Sequence, residues 1–359
     1  MQAEHAGIGG RHSSVRAALS IDIRGRVCYF SRNMNTKTAY RAASTAAAVI
    51  LMCLACAPVA ISPETSDPGT IWVADEGSGR IFKVNESCTA IVATSPDLGR
   101  PVAVVFDPYK GYCWAADADG GRIFRLTSRG VVEKTLYGFG EPVSLSYFPK
   151  EDAVWVADRA NGTVYKLSAL GNIRAQIGGL KEPTAVAVDT RRGEVYIACA
   201  NKIVRCDRWA QPIYNFYGFK NPQSLAFDAG YGFLWIADTG NGRVVKITPS
   251  GQVVAESQAL ANPTSIAVNP RTGFCFAADA EAGKIVSLKG DGTVRWANDE
   301  DYRRPNALAA NSSDMSLWVA DGYSFVVAKL KGSTGEVVDD KPLPGFANAV
   351  ALSPDPGLR

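Results

Sequence analysis

From residue 71 onward, hydrophobic and polar positions alternate in short runs that return at a fixed interval. The most apolar run carries hydrophobic residues on both faces and ends in an acid: Trp72-Val-Ala-Asp75, Trp114-Ala-Ala-Asp117, Trp155-Val-Ala-Asp158, Trp235-Ile-Ala-Asp238, Phe276-Ala-Ala-Asp279 and Trp318-Val-Ala-Asp321. A seventh copy, Tyr196-Ile-Ala-Cys199, replaces the Asp by Cys. These markers are 42, 41, 41, 39, 41 and 42 residues apart. Ahead of each marker after the first stands an alternating run opened by proline, at Pro101, Pro142, Pro183, Pro222, Pro263 and Pro305; a last copy from Ala347 lacks the Pro. Behind each acid a Gly-containing turn leads to a third run (Arg80-Ile-Phe-Lys-Val84 is one), and a second Gly turn opens a fourth.

Four short strands joined by tight glycine turns predict an antiparallel meander. A strand apolar on both faces must be covered on both sides, which a lone sheet cannot do. Radial packing of twisted sheets covers it and leaves no long exposed edge, so the expected fold is an all-β propeller of four-stranded blades. The Ala before the acid position (Ala74, Ala116, Ala157, Ala198, Ala237, Ala278 and Ala320) fits sheets that crowd together. The first unit lacks its leading strand and residues 347–353 supply one without a successor. The tail should therefore complete the first blade and close a ring, with seven blades favoured over six by the even spacing.

Copies such as Asn262-PTSIAVNPRTGFCFAADAEAGKIVS-Leu288 and Asn221-PQSLAFDAGYGFLWIADTGNGRVVK-Ile247 resemble NHL repeats over roughly residues 69–359. That resemblance implies a propeller used by default as a binding scaffold, although NHL propellers often have six blades. Similar propellers include lyases and lactonase-like enzymes, so an enzymatic alternative follows from the likeness as well.

The N-terminal part reads differently. Residues 42–61 form the one long apolar run, behind Lys37 and Arg41 and ahead of a Pro-rich stretch. This is the layout of an export signal beginning near Met34, with residues 1–33 unstructured or an over-extended start, 34–61 the signal and 62–70 a linker to a propeller over 71–359. Leu54-Ala55-Cys56 resembles the end of a lipobox, making Cys56 the candidate lipidated residue, with Cys53 a departure from that pattern. Lipidation, cleavage without lipid and retention as a membrane anchor all stay open, since twenty apolar residues are long enough to span. Each fate puts the folded part outside the cytoplasm, tied to a membrane in two of the three.

Charge adds one exclusion. Of the formal net +3, residues 1–56 carry a surplus of basic side chains, which leaves the remainder near neutral. No concentrated basic run marks a nucleic-acid partner. The two histidines, His5 and His12, both precede the apolar run, so a propeller without them has no Ser-His-Asp triad and no His-based lyase centre. The cysteines Cys88, Cys113, Cys199, Cys206 and Cys275 are odd in number; Cys113 and Cys275 fall at one strand position in distant blades and read as core fillers.

The acids Asp75, Asp117, Asp158, Asp238, Asp279 and Asp321 are expected to cap the turns that follow them, because a side chain repeated in nearly every blade serves the repeat. No catalytic residue, metal ligand or cofactor is expected. Function should sit in the loops that enter the Pro strands on one face. There Arg100, Tyr137, Phe139, Glu141, Glu182, Tyr217, Phe219 and Arg304 suggest a mixed aromatic and charged rim for a protein, peptide or glycan bound by a monomer. The alternative is a lactonase or hydrolase with a carboxylate-bound divalent cation in the central channel.

Overall fold

The computed structural model describes residues 70–299, 302–344 and 347–351, together with two short strands, Leu19–Ile21 and Val27–Tyr29. The chain divides into two units, Met1–Leu54 and Ala55–Arg359. In the first, those two strands pair antiparallel. The lipidation candidate Cys56, the apolar run and nearly all of the linker lie outside the described residues. Among the described residues no helix is long and apolar enough to cross a membrane.

The second unit is a propeller of seven four-stranded antiparallel blades. We call the strands of each blade a to d. Blade 1 is Ala347–Ala351, Ile71–Asp75, Arg80–Val84 and Ile91–Thr94, so the C-terminal strand supplies strand a and closes the ring. Strand a of blades 2 to 7 is Pro101–Asp107, Pro142–Phe148, Ala185–Val188, Ser224–Asp228, Pro263–Val268 and Pro305–Ala310. Each a strand touches the a strand of the next blade, and the circle ends where 347–351 meets 101–107, which places these strands round the axis.

The doubly apolar run is strand b. Its Trp72, Trp114, Trp155, Trp235 and Trp318 are at most 1% exposed, and the Ala before each ring acid is fully buried, so neighbouring sheets do crowd there. Each indole buries roughly 200 Å², on the order of 5 kcal/mol of apolar burial before entropy is counted. The five cysteines of the propeller are buried and unbridged. Burial pushes the Cys88 and Cys206 thiols up to about 12 and Cys199 up to about 11, so they serve as core rather than as nucleophiles.

Strand c adds a device that alternation alone does not announce. Opposite the strand-b aromatic of every blade but the sixth stands a cation, as in the pairs Trp114–Arg125, Trp155–Lys166, Trp235–Lys246 and Trp318–Lys329. The charged head lies over the ring, 5.1 Å from its centroid for Lys246 and 5.5 Å for Lys166. It then reaches into the next blade: Lys166 Nζ donates to the Arg208 carbonyl at 2.8 Å, Arg205 Nη1 to Pro249 at 2.8 Å and Lys246 Nζ to Gly290 at 3.1 Å. Lys329 Nζ donates to the Glu86 carbonyl at 3.2 Å, which stitches blade 7 to blade 1. In blade 6 the position is Ser287, and the Gly332 carbonyl of blade 7 is met instead by Arg295 Nη1 at 2.9 Å and Trp296 Nε1 at 3.1 Å. Nearer the axis, Ser144, Ser224 and Ser265 accept the amides of Val186, Ile266 and Leu308 from the following blade.

Candidate functional site

In a meander of four strands the b–c hairpins and the d–a loops share one face, the mouth. Its loops are fixed by the ring acids, all of which are at most 1% exposed. Five of the acids accept an amide of their own turn: Ser78 N–H donates to Asp75 at 3.1 Å, Gly120 to Asp117 at 3.1 Å, Asn161 to Asp158 at 3.2 Å, Ala282 to Asp279 at 3.4 Å and Tyr323 to Asp321 at 3.0 Å, whereas Asp238 takes the Asn241 side chain instead. In blades 2, 3, 5, 6 and 7 the carboxylate also holds the loop 17 or 18 residues upstream. Arg100 N–H donates to Asp117 at 2.9 Å, Gly140 and Glu141 to Asp158 at 2.8 Å, and Ala261 and Asn262 to Asp279 at 2.8 Å. Lys220 N–H donates to Asp238 at 2.7 Å, and Arg303 and Arg304 N–H donate to Asp321 at 2.7 and 3.2 Å. A buried carboxylate satisfied by several N–H groups is a fastener, and it leaves few lone pairs for a ligand.

A second column anchors the loops. Three residues before each proline stands a large apolar side chain, and Leu98, Leu180, Phe219, Leu260 and Tyr302 are all at most 9% exposed. Phe139 occupies the same place, half-buried and edge-on to Tyr165 with centroids 5.4 Å apart. Phe139 and Phe219 are therefore loop anchors, and the outward aromatics of those loops are Tyr137, 74% exposed, and Tyr217, 70% exposed. The intervening Gly138 and Gly218 have φ of +98° and +96°, a conformation that turns the phenol out while the phenyl goes in.

The remaining rim residues divide. Arg100 is drawn into an ion network over three blades: it meets Glu76 of blade 1 at 3.3 Å, Asp119 of blade 2 at 2.7 Å and Glu141, leading into blade 3, at 3.4 Å. Arg159 takes Glu141 from the other side through both carboxylate oxygens. Arg100 and Glu141 were legible as rim residues; Glu76, Asp119 and Arg159 were not, because each sits just past a repeated acid in what reads as turn filler. Asp119 is thereby spent on Arg100, and Asp117 on Arg122, which meets it through Nε at 2.8 Å.

Glu182 and Arg304 are exposed, and their side chains make no hydrogen bond or ion pair among the described residues. Glu182 has φ of +48°, as does Asn221 at the equivalent place at +46°. The residues that follow the prolines of blades 5 and 6 are neutral and polar. Gln223 is 2% exposed and donates to the Asn221 side-chain oxygen at 2.7 Å, while its own Oε1 and the Thr264 hydroxyl are buried without a partner. The signal for this sector was the residue after each proline, which runs Val102, Val143, Thr184, Gln223, Thr264 and Asn306 round the ring. Among the described residues no three His, Cys, Asp or Glu side chains are grouped to hold a metal ion.

No family model matches the chain, and no curated protein matches it. Solved structures do. The hydrazine synthase of Kuenenia stuttgartiensis superposes with a TM-score of 0.65 over 79% of this chain and 97% of its own, at 12% identity. Virginiamycin B lyase from Staphylococcus aureus gives a TM-score of 0.59 over 68% of this chain and 84% of its own, at 15% identity. A streptogramin B lyase gives 0.60 over 76% and 86%, at 14% identity. At such identities the likeness concerns the propeller fold.

Proposed function

We propose that the chain is an extracytoplasmic binding scaffold that takes a protein, peptide or glycan on its mouth face, tied to a membrane through its N-terminal segment. In this reading the propeller is of the NHL type and acts as a monomer, and Cys56 is its lipidated residue. One observation carries the reading. The groups that look catalytic in sequence, the ring acids, are buried and committed to backbone N–H groups, whereas the exposed chemistry of the face lies in side chains that differ from blade to blade. A repeated residue serves the repeat; an unrepeated exposed one serves recognition.

Arrays of soluble peptides and of glycans, probed with the intact protein and with a Tyr137→Ala/Tyr217→Ala/Glu182→Ala variant, test this. The expected result is a ligand group bound by the parent and lost, by tenfold or more, in the variant. Equal binding by both would remove the rim from the reading. Metal analysis of the purified protein tests the hydrolase alternative, for which stoichiometric calcium would be the required finding.

A further inference from the structure

The face opposite the mouth, made of a–b and c–d turns, is divided in two. At the c–d turns of blades 2, 3 and 4 stand Val131, Leu170 and Trp209, which are 59%, 64% and 65% exposed. The outer strands leaving two of these turns add Ile173 at 55%, Ile213 at 47% and Tyr214 at 58%. The corresponding turns of blades 5, 6 and 7 carry Ser250, Asp291 and Thr334. The tips of the c–d turns in blades 2 to 4 therefore present large apolar side chains where those of blades 5 to 7 are polar, while the only large apolar side chains that the outer strands of blades 5 to 7 expose are valines, Val253, Val254, Val294 and Val338.

The apolar turns are held rigidly across blades. Arg125 and Lys134 of blade 2 donate to the Ala169 and Leu170 carbonyls of blade 3, and Lys166 of blade 3 holds the Arg208 carbonyl of blade 4. The tips thus form one arc, fixed at its base by the same cations that join the blades.

Charge on this arc is segregated by depth. The exposed charges of its turns include Lys110, Arg129, Lys150, Arg191, Arg192 and Arg208. The acids of the same turns are buried or paired, and Glu151 also takes Arg208 at 3.6 Å. Asp107 and Asp189 are 1% exposed and cap their turns through the amides of Tyr109 and Arg191. Glu151 pairs with Lys166, Asp152 with Lys110, and Asp207 accepts the Trp209 amide at 2.9 Å. Glu133 is exposed and is neutralised by Arg125 at 3.1 Å. The near-neutral net charge of the propeller conceals this arrangement, because a buried acid counts the same as an exposed base in a sum.

We propose that this arc docks on an anionic lipid surface, with Val131, Leu170 and Trp209 entering the headgroup boundary and the surrounding bases meeting the lipid charge. Exposed Trp and Tyr beside aliphatic side chains and cations match the interfacial zone of a bilayer, where amphipathic rings settle and basic residues contribute near a negative surface. A soluble polyanion would use the bases but gives Leu170, Ile173 and Ile213 nothing to enter. The proposal concerns the face opposite the mouth and is independent of what the mouth binds.

Trp209 supplies its own reporter, because the strand-b tryptophans are buried and the remaining one, the half-buried Trp296, belongs to blade 6. The full-length protein is mixed with phosphatidylcholine vesicles, with and without phosphatidylglycerol, whose acyl chains are brominated. The expected result is quenching in the anionic vesicles that disappears in Trp209→Phe. Arg129→Gln and Arg192→Gln, whose side chains hold no structural bond among the described residues, should each weaken vesicle affinity about fivefold. Two results would overturn the proposal: co-sedimentation with anionic vesicles while Trp209 stays unquenched, which assigns binding to the N-terminal segment, and quenching equal in uncharged vesicles. Salt-sensitive retention on heparin without quenching would likewise overturn it, in favour of a soluble polyanion.

Discussion

The two faces of the ring are held by opposite devices. On the mouth face an anion, the ring Asp, ties a loop to the hairpin of its own blade, 17 or 18 residues away in sequence. On the other face a cation on strand c ties a turn belonging to the next blade, 42 to 44 residues away. The anion accepts N–H groups and the cation donates to carbonyls, so each side chain meets the backbone group that its charge suits. The consequence is a difference in reach. A defect in the first device stays within one blade, while a defect in the second loosens the contact between two.

The strongest way to break this division is at the seam. Blade 1 is completed by residues 347–351, and Lys329 adds the stitch from blade 7 to Glu86. Deleting residues 345–359 removes a whole inner strand and exposes the edges of Ile71–Asp75 and the inner strands beside it. We expect loss of cooperative unfolding and aggregation, read by calorimetry and light scattering, whereas Lys329→Met should leave a folded ring with a lower Tm. A truncated chain that melts as cooperatively as the parent would show that the seam is dispensable.

Next in size is Asp158→Ala. The carboxylate accepts the amides of Gly140, Glu141 and Asn161 and the Asn161 side chain, so its removal leaves several buried donors unmet and should cost about 3 kcal/mol. Hydrogen exchange should accelerate at those amides within blade 3 and not in blade 4. Lys166→Met is the matched change on the other face, with an expected cost of about 2 kcal/mol, because Glu151 and the Arg208 carbonyl lose a donor while a buried cation is also relieved. Here faster exchange should appear in the turns of both blades 3 and 4. Faster exchange confined to one blade in both variants would erase the proposed difference in reach.

The comparison also shows where the sequence was legible. The ring acids stand before glycine turns, and that local grammar is enough to name them as caps. Their second bonds, to amides far upstream, have no local sign, since a repeat shows which residues are equivalent but not which distant N–H they meet. The cations of strand c were visible as a column, but alternation reads such a column as solvent-facing; in a ring the outward side of one sheet is the inward side of the next. Phe139 and Phe219 were misplaced at the rim because their aromatic character outweighed their column, which Leu98, Leu180 and Leu260 mark as an anchor. The exposed Tyr137 and Tyr217, by contrast, have no large counterpart in that column.

The smallest effect bears on the face of the a–b turns. Asp228 is 1% exposed, and one of its oxygens accepts the amides of Gly230 and Tyr231 while the other has no partner. Burial raises its carboxyl above the usual range, against the lowering pull of those amides and Lys246. A raised acid means that the folded state binds its proton more tightly than the unfolded chain does. The ionised form therefore penalises the fold at neutral pH, and the penalty fades as pH falls through the folded value towards the unfolded one. Asp228→Asn keeps the accepting oxygen and removes the charge. It should raise stability by about 1 kcal/mol at neutral pH, with the gain shrinking in acid. Asp158→Asn on the mouth face provides the contrast. Both oxygens of Asp158 already accept backbone amides, so an amide nitrogen in place of one of them must face a donor, and the change should destabilise. Denaturation midpoints for the two variants across pH 4–8 should move in opposite directions, which makes the same chemical edit a probe of whether a buried acid fastens the structure or strains it.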